Sequence, residues 1–456
     1  MKYVSHNPAT GKEIQHWETH TDAEAEQALA RAHALYQSDW CKGDRAPRLA
    51  LLRQIADVLD ASVEPMARAA TEEMGKLIEA SRGEVKFCAD IARYYADNAE
   101  RFLAPVSYPT DLGEAWVEHH PIGVIMAVEP WNFPYYQLMR VLAPNLAVGN
   151  PVLCKHAQIV PRCATLFAEA VSKAGAPEGV WTNLFITSDQ VADLLADKRI
   201  QGAALTGSER AGSAVAGQAA SHLKKTTLEL GGNDVFVVLD DADIADTARQ
   251  AAQARLSNCG QVCTGAKRFL VQESVMDSFM QHFTAAMQQA KPGDPLDSST
   301  TLGPLSSADA LKGLTRQVDD AVANGARLVI GGKPLGGEGY FYPPTILTDI
   351  AEDNPARYEE FFGPVAQVYS VKDDEAIVAL ANDSNYGLGG AIFTRNTDRA
   401  RRLASRIETG MVYINSATNT AAELPFGGVK RSGYGRELSD LGIKEFTNQK
   451  LIVISK

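Results

Sequence analysis

Between residues 122 and 230 the chain alternates short, almost wholly apolar runs with longer stretches of helical period. The apolar runs 122–128, 152–155, 181–186, 202–205 and 226–230 predict strands covered on both faces. The segments between them, 134–148, 162–174, 191–196 and 209–220, predict helices. Alternation of this kind predicts a parallel, doubly wound sheet that binds its ligand at the carboxyl ends of the strands. A second α/β set follows, with strands at 235–239, 268–271 and 327–330 and helices starting at Ile244 and Ser274. Gly231-Gly232 lies between the two sets and reads as a hinge.

At the N-terminal end helix comes first. Thr21-Asp22-Ala23-Glu24 has the form of a capping box and opens an Ala-rich amphipathic run to about Tyr36. A second helical stretch covers 46–74. Around 116–120 the chain becomes extended and polar-alternating, which predicts part of a protruding hairpin. The run 451–454 predicts one more strand, isolated in sequence; a neighbouring subunit would give it a partner.

A chain of 456 residues exceeds one core, so two or three domains are expected. With 45% hydrophobic and 22% charged residues the composition is that of a soluble globular protein. A net charge of −12 argues against nucleic acid as a partner, because phosphate contacts need a basic face. It leaves room for an anionic small molecule held by one local Arg. The six cysteines, Cys41, Cys88, Cys154, Cys163, Cys259 and Cys263, include no C-x-x-C pair. No His cluster has zinc spacing, and His119-His120 reads as a solvated strand, so no metal is expected. The start of the chain lacks a signal-peptide apolar region, and no apolar run is long enough to span a bilayer. The expectation is a reducing, cytoplasmic setting with no membrane partner.

Candidate chemistry centres on Cys263, in Asn258-Cys259-Gly260-Gln261-Val262-Cys263. Upstream, Glu229 ends an apolar strand in Leu228-Glu229-Leu230-Gly231-Gly232. A thiol after a Gly-Gln turn and such a carboxylate suggest covalent catalysis, in which a nucleophile attacks a carbonyl and a base later activates water. Most intracellular cysteines are only small core groups, so the thiol is not decisive alone. Asn132, between Pro130 and Pro134 at a strand end, has an amide that can face a developing oxyanion; the plainer reading is a capped turn. Thr206-Gly207-Ser208 precedes a helix whose free N–H groups suit a pyrophosphate, yet the same string is an ordinary N-cap.

Taken together these strings carry more. Glu129-Pro130-Trp131-Asn132-Phe133-Pro134, Thr206-Gly207-Ser208, Glu229-Leu230-Gly231-Gly232, Gly260-Gln261-Val262-Cys263, Glu359-Glu360-Phe361-Phe362-Gly363-Pro364 and Pro425-Phe426-Gly427-Gly428 occur in that order. The chain resembles the aldehyde dehydrogenase superfamily from Asn7-Pro8-Ala9-Thr10-Gly11 to Gly435-Arg436-Glu437-Leu438. Within it, the chain looks most like the short bacterial succinate-semialdehyde dehydrogenases. The resemblance implies an α/β fold with a Rossmann-type cofactor domain at 1–102 and 121–230. It also implies an α/β catalytic domain at 231–431 and a small β oligomerisation arm at 103–120 and 432–456. It implies Cys263 as nucleophile, Glu229 as general base, and Asn132 with the Cys263 N–H as oxyanion hole. Trp131, Lys155, Gln158, Gly207, Ser208, Glu360 and Phe362 match positions lining the cofactor, with Glu360 on the nicotinamide ribose. Arg140, Thr420 and Phe426 match the substrate tunnel. A homo-oligomer, dimer or tetramer, is implied as well.

Several residues depart from the family pattern. Members that favour NAD commonly carry Glu three residues after the matched Lys, where this chain has the neutral Gln158, so NAD and NADP both stay open. Arg140, eight residues after Asn132, replaces an apolar or aromatic wall and suits a substrate carboxylate; its plain reading is an exposed helix Arg. Glu423 is unexpected beside Thr420, because a carboxylate facing inward would repel an anionic substrate. Cys259 allows a disulfide with Cys263 that would block the nucleophile, or simply fills a tight turn. The expected activity is NAD(P)-dependent oxidation of succinate semialdehyde to succinate through a Cys263 thioester. The alternatives are another small aldehyde, such as glutarate semialdehyde, and a non-enzymatic binding or structural role. A CoA-acylating enzyme would not need the water-activating Glu229.

Overall fold

In the computed structural model, which describes residues 3–456, two sheets carry the predicted alternation. The first has six strands in the order Gly433–Tyr434, Lys225–Glu229, Ile200–Thr206, Val124–Glu129, Val152–His156, Trp181–Asn183. All pair in parallel except Gly433–Tyr434, which runs antiparallel at the edge. The chain leaves Val124–Glu129 toward Val152–His156 on one side and later returns to Ile200–Thr206 on the other. That reversal of strand order opens a crevice beyond Glu129 and Thr206, where such sheets take ligands. Trp131, Asn132, Gly207 and Ser208 follow immediately.

The second sheet has seven strands: Arg327–Ile330, Thr345–Thr348, Val365–Val371, Arg268–Gln272, Val235–Val238, Gly390–Phe393 and Tyr413–Ile414. Only the outer Arg327–Ile330 is antiparallel. Its central strands are apolar and buried because helices cover both faces. Five residues, 230–234, join the two sheets, Gly231 and Gly232 among them.

Several local expectations change. A β-hairpin, Tyr3–Asn7 with Lys12–Trp17, precedes the first helix; its second strand is almost wholly exposed and so lacks an apolar alternation to read. The capping box at Thr21 is present with both of its hydrogen bonds. The stretch 46–74 splits at Ser62 into Ala46–Ala61 and Val63–Met74. A 25-residue helix, Ile78–Phe102, follows and escaped the sequence reading; Val85, Cys88, Ala92, Tyr95 and Ala99, spaced by three and four, face the core.

The terminal strand is not isolated. Thr447–Ser455 pairs antiparallel with Gly113–Pro121 of its own chain, from Thr447↔Pro121 to Ser455↔Gly113, and Val106–Ser107 completes a three-stranded sheet. Segment 432–456, assigned wholly to an arm, therefore also lends Gly433–Tyr434 to the six-stranded sheet. No helix among the described residues is long and apolar enough to cross a membrane.

Candidate active site

The nucleophile's loop is shaped by a left-handed backbone stretch. Asn258, Cys259 and Gly260 have φ of 50°, 55° and 73°. Two non-glycine residues in that region cost of order 1–2 kcal/mol each, so other contacts must hold them. Arg255 Nη2 donates to the Gly260 carbonyl at 2.5 Å, and Asn258 Nδ2 donates to the Asn132 carbonyl at 2.9 Å. A side chain at Gly260 would press into the Gly363 carbonyl, so only glycine lets this loop lie against the Glu360–Gly363 segment.

Asn132 is buried, and its Nδ2 donates to the Gln261 carbonyl at 3.1 Å. That fixes the amide and leaves its second N–H to point elsewhere. The Cys263 backbone N–H has no acceptor among the described residues. Two unspent donors beside a thiol are what a tetrahedral oxyanion needs. Lys76 and Glu84 form a buried ion pair behind this turn. Glu84 Oε1 accepts the N–H groups of Tyr135 and Tyr136 at 2.8 and 3.0 Å, and the Lys76 ammonium lies 3.7 Å from the Phe133 ring centre. The sequence reading gave neither residue a role.

Glu229 ends its strand with both carboxylate oxygens buried and without hydrogen bonds. A Cβ on Gly427 would sit 2.7 Å from Glu229 Oε1, which places the carboxylate against the Pro425–Gly428 turn. Burial holds its pKa well above the carboxylate range, repulsion from Glu437 adds to this, and Arg140 and Arg436 oppose it. Burial likewise pushes the Cys263 thiol up to about 12, against Lys267 and Arg140 and with help from Glu360 and Glu229. The thiol feels the charge of Glu229, and burial disfavours the charged form of both groups.

Arg140 is neither an exposed helix residue nor the free cation expected for a substrate carboxylate. It is 1% exposed, and its guanidinium forms an ion pair with the buried Glu437. It also donates to Thr206 Oγ1 at 2.9 Å and Tyr136 Oη at 3.2 Å, and lies 4.8 Å over the Phe426 ring. Glu437 is aimed there because its backbone bridges to Phe426, with both N–H···O bonds at 2.8 Å. Every residue of the helix Tyr136–Val148 is buried, so spacing from Asn132 does not single out Arg140, and sequence alone could not reveal a carboxylate arriving from 297 residues downstream (437 − 140).

The other site positions fall around this centre. Trp131 and Phe362 meet edge to face, with ring centres 5.8 Å apart. Ser208 caps the helix Glu209–Ser221 by accepting from Ala211 N, and Gly207 enters that cap. Lys155, half-buried, has no carboxylate partner among the described residues, and its ammonium lies 5.7 Å from the Tyr3 ring centre. An unpaired, partly desolvated ammonium on the same sheet, two strands from the one that leads into that helix N-terminus, fits a phosphate-bearing cofactor. Gln158 is half-buried two residues beyond that strand. Thr420 is half-buried and its hydroxyl has no hydrogen bond among the described residues, while Glu423 is exposed. Cys259 and Cys263 are both free thiols, and Cys259 instead lines a cavity of about 580 Å³ with Lys76, Leu256 and Gly303.

Comparison with known proteins agrees with this geometry. The model of the aldehyde dehydrogenase family matches residues 1–452. A succinate-semialdehyde dehydrogenase [NADP(+)] of Deinococcus radiodurans is 46% identical over 450 residues, 99% of this chain and 94% of that protein. A probable succinate-semialdehyde dehydrogenase [NADP(+)] of Synechocystis is 44% identical over the full length of both. The crystal structure of succinic semialdehyde dehydrogenase from Streptococcus pyogenes with NADP+ superposes with a TM-score of 0.98 at 49% identity, covering all of both chains. With a free thiol, a buried carboxylate and two unspent donors brought together in a chain matched over nearly its whole length, the protein belongs to the aldehyde dehydrogenase family.

Proposed function

We propose that the protein oxidises succinate semialdehyde to succinate, with NADP as the oxidant. The observation that carries the chemistry is the meeting of Cys263 with Glu229 and two unspent N–H donors in one crevice. The substrate and the preference for NADP are supported by relatives of 42–46% identity named for both. Glu229 or water takes the Cys263 proton, and the thiolate adds to the aldehyde carbon. Asn132 and the Cys263 N–H hold the resulting oxyanion. A bound nicotinamide supplies the acceptor for the hydride that leaves when the oxyanion collapses. Cys263 is then acylated as a thioester. Glu229, once any proton taken from the thiol has passed to solvent, removes a proton from the water that adds to the acyl carbon. The C–S bond then breaks to release succinate and the Cys263 thiol.

In this reading the six-stranded sheet and its helices hold the cofactor, and the seven-stranded sheet carries the nucleophile. The three-stranded sheet is the arm through which copies assemble. Its outer strand, Thr447–Ser455, pairs on one side only and exposes Leu451, Val453 and Ile454. Lys155 and Gln158 read the 2′-phosphate. Glu360 takes the nicotinamide ribose, with Trp131 and Phe362 packed beside it. Because Arg140 is committed to Glu437, the Thr420 hydroxyl is assigned to the substrate carboxylate and Phe426 to the tunnel wall.

The test is a kcat/KM panel of succinate semialdehyde, glutarate semialdehyde and butanal, each with NAD and with NADP. Succinate semialdehyde with NADP should exceed every other pair. A neutral aldehyde turned over equally well would return the substrate to an unspecified small aldehyde. A higher value with NAD would remove the phosphate role of Lys155.

A further inference from the structure

We infer that Lys267 is a positioning residue that links cofactor engagement at Glu360 to the reactivity of the Cys263 thiol. Lys267 lies four residues after the nucleophile and is fully buried. Its ammonium donates to the Val262 carbonyl at 2.9 Å and to the Cys263 carbonyl at 2.6 Å. The same atom is 2.9 Å from Glu360 Oε1, which also accepts the Gly232 N–H at 3.2 Å. One buried cation thus holds the backbone of the nucleophile and the carboxylate assigned to the ribose. The coupling rests on that assignment of Glu360; the action of the ammonium on the thiol does not.

The charges facing the thiol come from four elements. Lys267 and Arg140 favour the thiolate, whereas Glu360 and Glu229 oppose it. The Tyr136 hydroxyl is also within range. Asp234, buried under the loop, faces Lys267 and Glu360 together. While Glu360 offers its full negative charge, it offsets the ammonium and the thiol stays protonated. Ribose hydroxyls donating to Glu360 draw that charge away, and the ammonium then acts on the thiol with less opposition. The thiolate forms when the cofactor is in place to accept the hydride, and the free enzyme is guarded against stray electrophiles.

The experiment follows Cys263 alkylation by iodoacetamide against pH in the full-length enzyme, without cofactor and saturated with NADP. The midpoint of the profile is read rather than the rate, so shielding by the cofactor does not count. In the wild type NADP should move the midpoint to lower pH. Lys267→Met should move it higher, leaving about tenfold less thiolate at a given pH, and abolish the response to NADP. Lys267→Arg should restore part of both. Glu360→Gln, half-buried and the safer variant for folding, should lower the cofactor-free midpoint, because the ammonium is no longer offset. A wild-type profile in Lys267→Met, or an unmoved cofactor-free midpoint in Glu360→Gln, overturns the inference. NADP affinity is measured in parallel. If Glu360→Gln binds NADP as tightly as wild type, the ribose assignment fails and the coupling with it, while the cofactor-free midpoints still decide what the ammonium does to the thiol.

Discussion

Beneath Cys263, the buried cations Lys267 and Arg255 meet the carboxylates Glu360 and Asp234; on the facing side Arg140 alone among fully buried cations meets Glu129, Glu229 and Glu437. Burial raises the thiol and the carboxyl groups of Asp234, Glu129, Glu229 and Glu437 alike, so desolvation does not separate the roles of Cys263 and Glu229. The sign of the neighbouring charge does. Under the nucleophile the first opposing influence is an ammonium, which favours proton loss. Around Glu229 the largest influence after burial is another carboxylate, which favours proton retention. One side is built to release a proton and the other to take one up, as a thiol nucleophile and a water-activating base require.

Removing the two working groups gives the largest effects. Cys263→Ala should abolish dehydrogenase activity while leaving NADP binding intact; turnover within a few-fold of wild type would remove the thiol from the mechanism. Glu229→Gln should permit a burst of reduced cofactor and then stall, with steady turnover down roughly 10²–10⁴-fold, the size of a lost general base. Rapid mixing separates the two phases. Equal losses in burst and turnover would make Glu229 chiefly an activator of the thiol.

Much of this contrast was legible in the chain and part was not. Glu229 and Asn132 stand in short strings at strand ends and Cys263 in a short string in a loop, and the parallel sheet that positions the first two follows from apolar runs of the right length. Their charge environment is long-range. Glu437 reaches Arg140 only because its backbone bridges antiparallel to Phe426, and Lys267 reads as a polar residue before a strand. Glu129 is invisible for another reason. It closes an apolar strand, where a carboxylate reads as the strand's solvated end, yet it is 3% exposed and lies within reach of Thr206 and Arg140. A burial pattern can be read from local sequence; the partner that makes a buried charge tolerable cannot.

The acid-rich side has a single fully buried cation, so Arg140→Leu should disturb it next most. Leu would leave Glu437 buried and unpaired, a loss of about 3–5 kcal/mol in stability. Activity should fall about 10- to 100-fold for succinate semialdehyde and for butanal alike, because the base environment is damaged whatever the substrate. Adding Glu437→Leu should recover much of the stability. A loss confined to succinate semialdehyde would instead restore Arg140 as a carboxylate clamp.

The smallest expected effect is the sharpest test of sign. Glu437→Gln keeps the shape of the Phe426 turn and its backbone bonds but removes a negative charge beside Glu229. It also leaves Arg140 without its carboxylate, so the guanidinium acts more strongly on Glu229. Both changes favour ionised Glu229. A group whose pKa is raised stays protonated to higher pH, and a base that must be ionised gives a rate that rises as pH passes that pKa. Lowering the pKa therefore moves the rising limb of kcat toward acid, by roughly one pH unit for the loss of one buried neighbouring charge. The comparison profile is that of Glu445→Gln, a half-buried carboxylate that also raises Glu229 but ranks below Glu437 and is paired with Lys225 at 3.2 Å. Its limb should move less. A limb that shifts toward alkali in Glu437→Gln would mean that Glu437 serves Glu229 by accepting its proton rather than by repelling its charge, and the acid-rich side would then be a path for protons instead of a store.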